Sequence, residues 1–131
     1  MIAMGIKKWE NRAAMPMPCK GACAMTCSKS SDEYEYANFL AWASRMFKAE
    51  IFAAIPAWET IAGWRGRAVA VCAYEASYTA PNPPVWNEGY PVWWHLTKVE
   101  LLNKPVPCRG NVGMWRLSDD IQKKIEQSLE N

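Results

Sequence analysis

The decisive stretch is Gly5-Ile6-Lys7-Lys8-Trp9-Glu10-Asn11-Arg12, near the start of the sequence. After a glycine, it brings a lysine, a carboxylate, an amide and an arginine close together along the chain. These groups offer more hydrogen-bonding capacity than an ordinary surface strand needs. We therefore expect this stretch to run extended and to form one wall of a polar site.

A second stretch, from Lys20 to Lys29, reads Lys-Gly-Ala-Cys-Ala-Met-Thr-Cys-Ser-Lys. It alternates loosely and is rich in small residues, which is typical of a strand packed closely inside a small barrel. We expect a strand over Lys20 to Cys27. An irregular turn precedes it, because Pro16 and Pro18 interrupt the chain.

Together these stretches resemble the ASCH domain, a member of the PUA-like superfamily of small β-barrels. Gly5, Lys7, Glu10 and Arg12 fit its signature G-x-K-x-x-E-x-R, and Lys20 to Lys29 fit [RK]-G-x-h-x-h-x-x-[SA]-K, where h is apolar. Trp94 to Trp115 fit the closing pattern W-x-L followed by P-x-P-x-x-G-x-x-G-x-W. The aromatic residue that often follows the arginine is replaced by Ala13 and Ala14. The resemblance implies an α+β fold, a small PUA-like mixed β-barrel flanked by helices.

The length of 131 residues, half of them apolar, suits one domain with a self-supporting core. We expect a single domain over residues 1–131, and a monomer is the default expectation. The formal net charge of +2 lacks the strong basic excess that drives non-specific binding to long duplex nucleic acid. A small or short ligand therefore suits this chain better.

The sequence shows neither a signal peptide nor a membrane span. Lys7 and Lys8 are followed by charged and proline-broken segments, and no run approaches about eighteen apolar residues. We therefore predict a cytoplasmic protein without membrane contact.

The five cysteines are an odd number, which favours free thiols in a reducing compartment. Cys19, Cys23 and Cys27 raise the possibility of a metal site. On a strand, each four-residue step spans about 13 Å at about 3.3 Å per residue, which is too far for neighbouring ligands of one zinc ion. We expect small core-facing thiols, with no metal and no cofactor.

Helical spacing begins after Ser31, a suitable N-cap, and predicts one long or broken amphipathic helix over about residues 32–55. Its aromatic stripe is typical of a core-facing surface. The other predicted elements are a turn at Gly63–Gly66, a strand at Arg67–Glu75, a loop at Tyr78–Val92 suited to a lid or ligand-contacting rim, a strand at Trp93–Leu102, an edge segment at Lys104–Pro107, a closing strand at Gly113–Leu117, and a helix at about residues 119–129 capped by Ser118.

In the opening motif, Lys7 supplies a proton-transfer group and Glu10 a hydrogen-bond acceptor. Asn11 supplies an amide that can form two hydrogen bonds, and Arg12 supplies a planar, positively charged guanidinium group. Such groups suit a site that reads the edge of a nucleobase and holds a phosphate or ribose beside it. In the family arrangement, Ser28 and Lys29 approach the same mouth, and a tryptophan gives a stacking surface for a base. The predicted ligand-binding residues are Lys7, Glu10, Asn11, Arg12, Ser28, Lys29 and Trp94, with Trp9 and Trp115 as alternative stacking partners.

Strict strand alternation would put Lys7 and Glu10 on opposite faces, so their convergence needs a kink where the strand begins. Without the family signature, Glu10 and Arg12 would be interpreted as a surface ion pair. His95 is the single histidine and cannot build a metal site alone. We interpret it as a structural or rim residue, with a proton-transfer role as the alternative.

The expected function is binding of RNA or of a modified nucleoside or nucleotide beside the motif. The resemblance also implies an alternative, because one bacterial branch of ASCH relatives hydrolyses N4-acetylcytidine and ribonuclease activity is associated with another. In the first branch, a threonine at the position of Glu10 is the nucleophile, a role that a carboxylate does not repeat. Glu10 would instead be a general base for water, with Lys7 protonating the leaving group, in a metal-independent hydrolase. A third possibility is a protein-interaction module built on the aromatic helix.

Overall fold

The computed structural model of the chain describes residues 2, 4, 7–30, 32–82, 87–109 and 116–130. Along these ranges the elements are β1 (Trp9–Arg12), β2 (Lys20–Thr26), α1 (Glu33–Met46), α2 (Ala49–Ala53), α3 (Trp58–Trp64), β3 (Arg67–Ser77), β4 (Val92–Pro107) and α4 (Asp119–Glu130). The predicted α+β class is confirmed. Among the described residues, no helix combines the length and the apolar character that a membrane crossing requires.

The strands form one antiparallel sheet in the order β1-β4-β3-β2. β1 and β2 are its two edges, and within the described part of the chain no pairing between them closes the sheet. The predicted barrel is therefore not confirmed. The predicted closing strand Gly113–Leu117 lies largely outside the described residues.

β4 is a single strand of 16 residues, whereas the sequence predicted a strand and a separate edge segment. Lys98, near its middle, has a left-handed backbone conformation with φ of 52°. Leu96 is buried before this position, and Leu102 and Val106 are buried after it. The strand therefore departs locally from regular extended geometry at Lys98 and continues beyond it.

The chain divides into two compact units. Unit 1 contains Met1–Met25 and Ala70–Leu101, and unit 2 contains Thr26–Val69 and Leu102–Asn131. The predicted single domain stays a prediction.

Unit 1 has a core cluster formed by Cys72, Tyr74 and Leu96, each 4% exposed. Cys72 and Tyr74 are two positions apart on β3, which places their side chains on the same face. The Tyr74 ring lies next to Gly21 on β2, where an added Cβ atom would make an ordinary van der Waals contact with it at 3.5 Å. The Tyr74 hydroxyl donates a hydrogen bond to the Pro18 carbonyl at 2.8 Å. The Tyr74 ring thus packs against β2 beside Gly21, and its hydroxyl is fixed by the segment that leads into this strand.

Unit 2 contains the helical segment that the sequence predicts as one long or broken helix. The break is observed at Phe47, whose backbone is extended with φ −112° and ψ 152°, so α1 ends and α2 begins two residues later. The N-cap of α1 is Asp32, whose Oδ1 accepts from the Glu35 amide at 2.8 Å, while the predicted cap Ser31 lies outside the described residues. Tyr36 on α1 donates a hydrogen bond to the Pro56 carbonyl, which ties the helix to the segment before α3.

The last helix, α4, is fastened to β4 within unit 2. The Ser128 hydroxyl donates to the Lys104 carbonyl at 2.8 Å and accepts from the Lys104 amide at 2.9 Å. Ile125 is buried three positions earlier, on the same side of the helix. Ser118 accepts from the Ile121 amide at 3.3 Å, which agrees with its predicted capping role.

Gly66 makes the turn between α3 and β3 with φ of +69°, a conformation that favours glycine. Its amide donates to the Cys27 carbonyl at 2.8 Å, and its carbonyl accepts from the Cys108 amide at 3.0 Å. The Lys29 side chain lies across its Cα, so that an added Cβ would approach the Lys29 Cε at 2.6 Å. By contrast, a Cβ at Gly63 would meet no atom within 4 Å.

We expect Gly66→Ala to lower the free energy of unfolding by about 1–2 kcal/mol, because an L side chain is strained at this φ. Gly63→Ala, inside α3, is the matched control and should be neutral or stabilising by up to about 1 kcal/mol. Urea denaturation followed by circular dichroism measures both changes. Equal effects from the two substitutions would contradict this account of the turn.

Candidate functional site

The predicted motif brings Lys7 and Glu10 together. β1 begins at Trp9, so Lys7 precedes the strand and is not bound by the alternation of its side chains. Lys7 Nζ lies 3.1 Å from Glu10 Oε2, and the two side chains are only 17% and 14% exposed. The two side chains thus converge because Lys7 lies outside the regular strand.

Glu10 also faces a second cation. Arg12 is two positions along β1, on the same face, and its Nε lies 3.5 Å from Glu10 Oε1. The Arg12 side chain is 63% exposed, so its guanidinium reaches solvent while Glu10 stays shielded. We call Lys7, Glu10 and Arg12 the Glu10 cluster, which carries one formal positive charge in excess.

Trp94 lies beside this cluster because of the strand register. β1 and β4 pair antiparallel with Glu10 opposite Trp94, and directly opposite residues share a face. The Trp94 indole also stacks on Tyr74, with ring centroids 5.1 Å apart. Its Nε1–H is buried and finds no hydrogen-bond partner among the described residues. An unused buried donor therefore stands on the face that carries the charged cluster.

Tyr74 remains a neutral donor beside Trp94. Burial raises the pKa of the Tyr74 phenol above its ordinary value, and the negative charge that Cys23 and Cys19 carry when ionised raises it further. The protonated hydroxyl is the form that donates to Pro18.

Asn11 has a different role from the predicted one. It is 0% exposed, and its Nδ2 donates to the carbonyls of Tyr90 and Val92 at 2.8 and 2.9 Å. Its Oδ1 accepts from the amides of Glu88 and Tyr90 at 3.0 and 2.9 Å. Both donors and both acceptor positions of the amide are occupied by backbone groups. Asn11 therefore fastens the segment before β4 and has no remaining capacity to read a base.

Ser28 and Lys29 belong to unit 2, and both are exposed. The Ser28 hydroxyl lies 2.7 Å from the Ser30 hydroxyl and accepts from the Ser30 amide at 3.1 Å, forming a local turn. Lys29 extends over Gly66. The prediction that these two residues share a site with Lys7 stays a prediction.

Unit 1 also contains a hollow of about 460 Å³ that sequence reasoning did not identify. Its lining is Lys20, Gly21, Ala73, Tyr74, Glu75, His95 and Thr97, which includes none of the charged motif residues. Trp9 of the opening motif stacks on His95, with ring centroids 4.3 Å apart and an interplanar angle of 13°. His95 thus lines this hollow, and its interpretation as a structural or rim residue of the motif site stays a prediction. Because side chains alternate along β4, the sequence indicates that Thr97 shares a face with His95. The sequence does not indicate Lys20 and Glu75, because they approach His95 only through the pairing of strands that are distant in the sequence.

Metal ligands do not cluster in the described ranges, where no group of three His, Cys, Asp or Glu residues could hold an ion. Within the described residues, unit 1 offers four chemical features: the Glu10 cluster, the unpaired Trp94 donor, the polar hollow, and the adjacent thiols of Cys23 and Cys72.

No protein-family model matches this chain, and no curated protein matches its sequence. The resemblance to the ASCH domain accordingly rests on the motif residues themselves.

We expect Asn11→Ala to lower the free energy of unfolding by about 1–3 kcal/mol, because partly buried backbone groups around Tyr90 lose their partners. Asn11→Asp should also destabilise, since a carboxylate cannot donate to the two carbonyls. Lys8→Ala is the control from an exposed position next to the same strand and should change the unfolding free energy by less than about 0.5 kcal/mol. Urea denaturation distinguishes the three. A stable Asn11→Ala variant would refute the fastening role.

Proposed function

We propose that this chain is an ASCH-like, PUA-like domain that binds RNA or a modified nucleoside or nucleotide beside the Glu10 cluster. The observation that carries the proposal is the shielding of the Lys7–Glu10 pair, with one cation, Arg12, left open to solvent. Shielded ion pairs contribute little net stability relative to apolar residues of similar size, because desolvation offsets their attraction. A role in recognition gives a reason for placing such a pair there.

The charges of the cluster suit a ligand that carries a phosphate. Glu10 neutralises one of its two cationic neighbours, which leaves one positive charge for an anion. Arg12 is exposed, and its guanidinium offers several N–H donors in a planar fork that matches phosphate oxygens. Phosphate binding at Arg12 would therefore complete the charge balance of the cluster.

The polar edge of a nucleobase suits the neighbouring groups. Glu10 presents carboxylate oxygens that accept hydrogen bonds. The buried Trp94 Nε1–H is a hydrogen-bond donor that has no acceptor among the described residues. The register places these two residues opposite one another on adjacent strands. A base with a donor next to an acceptor would satisfy both, which supports a nucleotide-type ligand.

A second candidate function is metal-independent hydrolysis of an acylated nucleoside or of RNA. Its support is that Lys7 Nζ lies 3.1 Å from Glu10 Oε2, which places a candidate acid and a candidate base side by side. In that mechanism Glu10 takes a proton from the attacking water, and Lys7 protonates the departing group. Binding remains the first proposal because Glu10, a carboxylate, stands at the position where the hydrolysing ASCH relatives have their nucleophilic threonine.

Thermal-shift measurements against nucleosides, nucleotides and short RNAs test the binding proposal. A ligand that raises the melting temperature of the wild type should lose most of its effect with Arg12→Ala, because the phosphate contact is removed. Lys8→Ala is the matched control, since it removes the same charge from an exposed neighbour outside the cluster. Equal losses from both variants would indicate non-specific charge attraction and refute the site.

Four further variants test these alternatives. Trp94→Phe keeps an aromatic ring but removes the Nε1–H, and should weaken base recognition by roughly tenfold if that donor is used. His95→Ala should leave binding unchanged unless the ligand occupies the hollow. If Lys7→Ala and Glu10→Gln abolish turnover while affinity stays within a few-fold, hydrolysis is the function. If no nucleotide or RNA shifts the wild type, the proposal fails, and a protein-interaction role becomes the better hypothesis.

A further inference from the structure

Two thiols of unit 1 are in direct contact. Cys23 on β2 and Cys72 on β3 have their Sγ atoms 3.4 Å apart, within the range of an S–H···S hydrogen bond. Met25 adds a third sulfur, since the Cys72 thiol lies 3.6 Å from the Met25 Sδ. Both cysteines are unpaired thiols in the structure. Cys23 and Cys72 are far apart in the sequence, and the packing of small thiols in a core does not by itself require two of them to touch.

Strand pairing places the two residues where a disulfide fits. β2 and β3 are neighbours in the sheet, and the Ala76 amide donates to the Cys19 carbonyl at 2.7 Å. Four residues further along each antiparallel strand, Cys23 comes opposite Cys72. Opposite residues of such a pair have Cα atoms about 4.5–5.5 Å apart, which falls inside the range of about 4.4–6.8 Å found for disulfides. Rotation of the side chains can therefore close the gap without a rearrangement of the sheet.

The two thiols differ in access and in acidity. Cys23 is partly exposed, whereas Cys72 is buried. The hydrogen bond with Cys72 lowers the pKa of Cys23 below its ordinary value, although partial burial acts in the opposite direction. The same hydrogen bond, together with burial, raises the pKa of Cys72. Cys23 is thus the better attacking thiolate and Cys72 the resolving thiol.

We propose that Cys23 and Cys72 form a reversible dithiol–disulfide pair that exchanges with low-molecular-weight disulfides of the glutathione class. This modification site is separate from the Glu10 cluster and does not depend on the proposed nucleotide function.

The reaction proceeds in two exchanges. The Cys23 thiolate attacks one sulfur of the small disulfide, whose S–S bond breaks, and the released thiolate takes a proton from solvent. The Cys72 thiol then loses its proton to solvent, and its sulfur attacks the Cys23 sulfur and expels the second small thiol. The protein loses two electrons and two protons, and the small disulfide takes up both and is reduced to two thiols.

Native protein treated with oxidised glutathione, then alkylated in denaturant and mapped by mass spectrometry, tests the proposal. The expected product is a linked peptide pair containing Cys23 and Cys72, and dithiothreitol should restore both thiols. Cys19 is an exposed free thiol, so its expected product is a simple mixed disulfide. Linkage of Cys23 to Cys19 or Cys27, or full modification of Cys19 while Cys23 and Cys72 stay reduced, would overturn the proposal.

Single substitutions assign the two roles. Cys72→Ser should stop the reaction at a glutathione adduct on Cys23, whereas Cys23→Ser should leave the buried Cys72 unmodified. Cys72→Ala replaces the serine variant if that variant fails to fold, as judged by circular dichroism. Cys19→Ser is the control and should give the Cys23–Cys72 link at the wild-type rate. An adduct on Cys23 that persists in the wild type without forming the link would show that Cys72 does not resolve it.

Discussion

The pairing of β1 with β4 is the constraint on which the Glu10 cluster and the anchoring role of Asn11 depend. It aligns Trp9, Glu10 and Asn11 with His95, Trp94 and Trp93 in turn. Because successive side chains alternate, Glu10 faces the same side as Trp94, while Trp9 stacks on His95, which lines the hollow. Asn11 reinforces the pairing through four hydrogen bonds to the backbone that leads into β4. A strand of four residues thereby organises two different polar surfaces.

Glu10 balances the charges on one of those surfaces. A carboxylate that is 14% exposed is costly to bury unless cations stay near it, and Lys7 and Arg12 meet that requirement from opposite directions along the chain. The cluster is therefore held together by its own electrostatics. The more exposed partner, Arg12, is also the one that a ligand could engage without uncovering Glu10.

Sequence patterns predicted most of the elements because helical spacing, small-residue strands and caps are local signals. The proximity of Lys7 to Glu10 followed from the family motif, but periodicity alone argued against it, since the start of β1 could not be located to a residue. The role of Asn11 was missed because its partners lie more than seventy residues away. The hollow was missed for the same reason, since Lys20 and His95 come together only through the order of the strands.

The left-handed conformation of Lys98 also limits how β4 can align with its neighbours. The residues on either side of it, Thr97 and Val99, are both β-branched and strongly disfavour positive φ. If β4 slipped by one residue, the position now held by Lys98 would fall to one of them, and every side chain of the strand would turn to the opposite face. A single unusual backbone angle thus penalises misaligned pairings and helps to select one arrangement of the sheet.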